Sequence, residues 1–121
     1  MLLVAHGSPD PAWRVPLDAV CERARLLAPE RRVELCFLEH NDPDLESAIG
    51  TMHSQGIACI RVIALLLSGG GRHMRVDIPA IIQRAHTRLP GLEIELVAHP
   101  AGVHEVVIDA LARVALADSA E

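Results

Sequence analysis

Three features of the sequence predict an open α/β fold, a four-stranded parallel sheet with helices on both faces. Short apolar runs bounded by turn residues occur four times. The segments between them carry apolar residues at helical spacing. The connections are short, and strands alternating with helices build right-handed βαβ units rather than hairpins. The expected topology is flavodoxin-like, and the 121 residues suffice for one core, so residues 1–121 are read as a single domain.

Leu2–Ala5 is the first predicted strand, followed by turn chemistry in His6-Gly7-Ser8-Pro9-Asp10-Pro11. The spacing then predicts a helix over Trp13–Leu27, with Val20, Ala24 and Leu27 buried and Pro16 tolerated in the first turn. Pro29 ends it, and Val33–Leu38 is the second strand, closed by Glu39-His40-Asn41-Asp42. Asp42 reads as the cap of the second helix, with Pro43 at its first position and Leu45, Ile49 and Met52 facing the core. After Gly56 as C-cap, Ile60–Leu67 is the third strand, apolar enough to be covered on both faces. The third helix is expected to start at a capping Asp77, with Pro79 in its first turn and Ile81, Ile82 and Ala85 inward. Ile94–Ala98 is the fourth strand, and the last helix, Val103–Ala117, gathers Val106, Val107, Ala110, Leu111 and Val114 on one side.

Composition narrows the function. Only Trp13 and Phe37 are aromatic, and the formal charge is -5, so neither base stacking nor a general affinity for nucleic acid or anionic membranes is expected. Cys21, Cys36 and Cys59 are odd in number, lack CxxC spacing and fall in segments read as buried. That is the pattern of reduced core thiols in a cytoplasmic protein. The N-terminus shows no signal-peptide pattern.

Open parallel sheets bind ligands beyond the carboxyl ends of their strands, where strand order reverses. His6, Glu39 with His40, His73 and His99 follow the four strands in turn, so one edge collects four histidines and a carboxylate. His53, His86 and His104 fall within predicted helices and read as surface residues. A lone loop histidine is more often solvated than functional. His6 and His73 stand out because each neighbours a glycine-containing turn, and they face one cleft if their strands are adjacent. Three successive glycines, Gly69, Gly70 and Gly71, release the backbone for close approach of a ligand.

The same glycines admit a phosphate-cradle reading, but no GxxxxGK[ST] or GxGxxG pattern is present and the chain has no lysine, so no nucleotide is expected. Ser8 and Ser68 lie outside any GxSxG elbow, and capping of the next turn is the simpler role for Ser8. Imidazole with carboxylate in an open cleft suits Co²⁺, Ni²⁺, Fe²⁺ or Zn²⁺. Two protein ligands hold such an ion exchangeably, as an enzyme passing the metal on requires.

VAHGS at Val4–Ser8, FLE at Phe37–Glu39 and GRHMRVDIP at Gly71–Pro79 together resemble the small sirohydrochlorin cobaltochelatases, the CbiX-type class II chelatases. The resemblance implies a chelatase-like fold and ATP-independent insertion of a divalent metal, cobalt first and nickel or iron next, into a sirohydrochlorin-type tetrapyrrole. It implies His6 and His73 as the active-site histidines and metal ligands, with Glu39 as a third metal-site residue. Ser8, Gly70, Gly71 and Arg72 would then border the tetrapyrrole, the glycines as clearance for a flat ring, and Arg14, Arg72 and Arg75 are candidate partners for its carboxylates. Longer relatives hold two such halves, so a chain of this length is expected to act as a homodimer. The alternatives are a non-catalytic metal or tetrapyrrole carrier on the same fold and, behind it, an anion binder using the glycine loop.

Overall fold

The computed structural model describes residues 1–68 and 71–119, with the backbone alone for residues 73, 74, 118 and 119. Four strands, β1 (Leu2–Ala5), β2 (Glu34–Phe37), β3 (Cys59–Ala64) and β4 (Glu93–Leu96), form one parallel sheet in the order β2-β1-β3-β4. Four helices connect or follow them: α1 (Val15–Leu27), α2 (Leu45–Ser54), α3 (Ile78–Arg88) and α4 (Glu105–Ser119). The predicted α/β class therefore holds, with helices on both faces of a parallel sheet.

Side chains alternate across a strand, and the two faces carry separate cores. Leu2, Val4, Cys36, Ile60, Val62 and Ala64 meet α2 and α3 through Leu45, Ile49, Met52, Ile78, Ile82 and Ala85. Leu3, Ala5, Leu35 and Phe37 turn the other way, onto Cys21 of α1. All four β1 residues are buried, as a strand with a neighbour on each side and a helix layer above and below should be.

Several local expectations fail for tertiary reasons. On α1 the buried residue is Cys21, with Leu17 and Ala24 packed beside it, whereas Val20 and Leu27 are exposed; the sheet lies a fraction of a turn from the face the spacing suggested. The α2 cap is Asp44, whose carboxylate accepts from Ser47 N at 2.7 Å, not Asp42. Pro43 cannot start that helix because its carbonyl accepts from Phe37 N at 3.0 Å, which keeps residues 43 and 44 beside β2. Asp77 has helical dihedrals and no capping bond, since a π-helical turn over His73–Asp77 leads straight into α3. Cys59 is exposed, so it is not the core thiol expected. His104 precedes α4, and its Nδ1 accepts from Val106 N at 3.2 Å.

The largest departure concerns α4. Val106, Ile108, Leu111, Val114 and Leu116 are all exposed, and the main neighbour of α4 is the 3-10 turn Ala101–Val103 that leads into it. Consequently β3 is not covered on both faces. The sheet surface beside α1 presents Cys59, Arg61, Glu93 and Glu95, all exposed, which offers an apolar helix little to bury against. Among the described residues no helix is long and apolar enough to cross a membrane.

Candidate functional site

The strand order puts the ends of β1 and β2 side by side, and their loops continue the ladder beyond the strands. Leu38 N donates to Ala5 O at 3.0 Å and Glu39 N to His6 O at 3.1 Å. Ser8 N donates to the Asn41 side-chain oxygen at 2.8 Å, while Asn41 N returns to Glu39 O at 2.8 Å. Gly7 makes this contact possible. Its φ is +102°, and a Cβ there would stand 1.6 Å from the Glu39 carbonyl oxygen, so only glycine lets the two backbones come this close.

Two side chains are brought together by this brace. His6 Nε2 lies 2.7 Å from Glu39 Oε1, with 42 % and 48 % of the two side chains exposed, so the pair is ordered yet reachable from solvent. His40 Nε2 approaches the same oxygen at 3.8 Å, from a backbone with φ of +65°. In the sequence, Asn41 and Asp42 beside His40 suit a solvated turn as well as a site. A non-glycine residue in the left-handed region is the structural sign that this turn is held in place, and no pattern of residue types announces it.

A proton shared between an imidazole and a carboxylate at this distance fixes the tautomer, with Nε2 donating and the lone pair on Nδ1. Alternatively a divalent ion can replace that proton. With bonds of about 2.0–2.1 Å to nitrogen and oxygen, the two donors would need to separate by only a few tenths of an ångström. Proton and metal thus compete for one position. Among the described residues no group of three or more His, Cys, Asp or Glu side chains is arranged to hold a metal ion.

The other predicted residues are placed as follows. β1 and β3 are neighbours, the condition under which His6 and His73 share a cleft, and the segment after β3 keeps to β1 through Leu65 N to Val4 O at 2.7 Å. His73 opens the π-helical turn; its side chain, like Gly70 as a whole, lies outside the described residues. A Cβ added at Gly71 would meet nothing within 4 Å among the described residues. Arg72 is 80 % exposed and 3.5 Å from Asp77. The Ser8 hydroxyl accepts from Asp10 N at 3.1 Å, the capping role rather than an unengaged hydroxyl. Arg14 is held by two bonds of 3.1 Å to Asp18 and lies over the Phe37 ring at 4.8 Å, so it is already partnered. His99 sits exposed in a bend after β4.

A cleft of about 300 Å³ opens beside the pair, lined by Leu38, Glu39, Asp77, Ala80, Ile81 and Arg84. A slightly larger one, about 330 Å³ between α2 and α3, is not lined by Glu39, and His6 lines neither. Burial pushes the Cys36 thiol up to about 12 and raises that of Cys21, so both stay neutral and inert and behave as core residues.

Known proteins share both the sequence pattern and the fold. The profile of the CbiX family matches residues 1–117. The sirohydrochlorin cobaltochelatase of Saccharolobus solfataricus is 34 % identical over 119 residues, which cover 93 % of this chain and 90 % of that one. The sirohydrochlorin ferrochelatase of Priestia megaterium is 33 % identical over 111 residues, covering 92 % of this chain but only 41 % of that one. The structure of a sirohydrochlorin chelatase, SirB, from Bacillus subtilis subspecies spizizenii in complex with cobalt superposes with a TM-score of 0.81 and 31 % identity over 93 % of this chain and 47 % of its own. This chain therefore spans less than half the length of the last two and nearly all of the first.

Proposed function

Because the chain belongs to the CbiX family, we propose that it inserts a divalent metal ion into a sirohydrochlorin-type tetrapyrrole, acting as a chelatase without nucleotide. The observation that carries this reading is the His6–Glu39 pair at 2.7 Å on the carboxyl edge of the sheet, beside an open cleft. Cobalt is the metal favoured, since the relatives of matching length are cobaltochelatases; the relatives more than twice as long include both a ferrochelatase and a cobaltochelatase.

Insertion exchanges two pyrrole N–H protons for one M²⁺, so the site must deliver a cation and accept protons. His6 and His73 hold the incoming metal, with Glu39 balancing its charge. As the metal passes to the ring nitrogens, the vacated imidazoles of His6 and His73 each take one of the two pyrrole protons, and both are released to water, that of His6 by way of Glu39. Ser8, Arg72 and the glycines at 70 and 71 border the macrocycle, the glycines providing clearance. The reaction is assigned to the cytoplasm, in keeping with three unpaired cysteines.

The test is a spectroscopic assay of Co²⁺, Ni²⁺ and Fe²⁺ insertion into sirohydrochlorin, with and without ATP. An ATP-independent acceleration that is largest with Co²⁺ is expected. Tight binding of metal or ring with no acceleration over the spontaneous rate would instead establish a carrier.

Two copies of the chain are proposed to pair through α4. Its exposed Val106, Leu111 and Val114 form the apolar stripe that the chain's own sheet does not cover. Sedimentation should give twice the chain mass for the natural sequence, and Val106→Glu with Leu111→Glu should give the single-chain mass. A monomer before substitution would refute the pairing.

A further inference from the structure

We infer that Arg84, on the α3 wall of the cleft beside Glu39, receives a carboxylate arm of the tetrapyrrole; this rests on the chelatase reading above. The six described residues lining that cleft include two carboxylates, Glu39 and Asp77, and one cation, Arg84. A polycarboxylate ring approaching a chain of net charge -5 is repelled at long range, so a cation at the site itself must compensate. The cleft, about 300 Å³, is at the small end for a ligand pocket and admits one peripheral arm rather than a whole macrocycle.

Arg84 is also the cation that can be spared. Glu46 accepts from two arginines, Arg88 NH1 at 2.6 Å on Oε1 and Arg84 NH2 at 3.3 Å on Oε2. When Arg84 swings toward an arm in the cleft, Glu46 keeps the shorter of its two bonds and is not left unpaired. Arg84 lines a second, adjoining cavity with Glu46 and Asp44, so its side chain stands at the junction between its resting partner and the cleft. Guanidinium matches a carboxylate with two parallel bonds, which an ammonium cannot reproduce.

The experiment measures metal-free binding of sirohydrochlorin from the change in its absorbance or fluorescence. Arg84→Gln should weaken binding by about tenfold, while Arg84→Lys recovers part of the loss. Glu46→Gln, which removes the resting partner, should bind as tightly as the natural chain or tighter. With the ring carboxylates esterified, the natural chain and Arg84→Gln should bind alike. Arg84→Gln within twofold of the natural chain overturns the inference, as does a Glu46→Gln variant that weakens binding equally, because the pair would then be merely structural. A natural chain that binds no tetrapyrrole overturns both this inference and the chelatase reading; binding unaffected at Arg84 overturns the inference alone.

Discussion

Replacing His6 by alanine is expected to slow Co²⁺ insertion into sirohydrochlorin by about a hundredfold or more, with the fold intact. The imidazole is asked to serve as a metal ligand and as a proton acceptor, and positioned acid–base groups alone contribute roughly 10²–10⁴-fold. Its exposure, 42 % of the side chain, means that little packing is lost with it, so the thermal midpoint should move by only a few degrees at most. Glu39→Gln keeps the shape but removes the charge, and a smaller loss, about ten- to a hundredfold, is expected of a group that orients and neutralises. His73→Ala should behave like His6→Ala. The measurement is the macrocycle absorbance change under single-turnover conditions, beside circular dichroism as the fold control. Undiminished rates in both histidine variants would sink the assignment.

Gly7→Ala should be the most damaging single methyl addition at this site. The new Cβ would lie 1.6 Å from the Glu39 carbonyl oxygen and 2.7 Å from its carbon, both backbone atoms that cannot rotate away. The backbone φ of +102° adds strain of about 1–3 kcal/mol for any L side chain, before the clash is relieved. A total above about 3 kcal/mol is expected, which for a domain of this size lowers the melting temperature by more than about 10 °C. Relief requires the loop after β2 to retreat, and Glu39 would go with it, so insertion should fail even in the fraction that folds. Gly71→Ala is the control: among the described residues nothing lies within 4 Å of its added methyl, and its melting temperature should change little. A Gly7→Ala chain as stable as the natural one would refute the close-approach account.

Much of this arrangement was legible in the residues. Four apolar runs and the helical spacing between them identified the four strands and the four α-helices, though not the 3-10 and π-helical turns, since both signals depend on neighbours within a few positions. The placement of His6, Glu39 and His73 after the first three strands followed from the same reading. Failures came where a local signal met a non-local contact. Asp42-Pro43 looks like a helix start, but the Pro43 carbonyl is claimed by Phe37 N on the neighbouring strand, which moves the cap to Asp44. Val20 and Leu27 are as apolar as Leu17 and Cys21, and only the position of the sheet chooses between the two stripes of α1. Arg84 carried no signal, being one arginine on a helix until α3 and the loop after β2 enclose a cleft around it.

The sequence by itself determined the order of the elements, the aliphatic core and the set of polar groups delivered to strand ends, because periodicity and turn chemistry act within one or two turns of chain. Only the tertiary structure decided which of those groups meet. The order β2-β1-β3-β4 sets the loop of Glu39 against that of His6, and the missing Cβ of Gly7 lets their backbones close until carboxylate and imidazole stand 2.7 Å apart. The same packing left α4 without a seat, because the exposed strand face beside α1 is built from Cys59, Arg61, Glu93 and Glu95, and apolar surface gains nothing by covering charge.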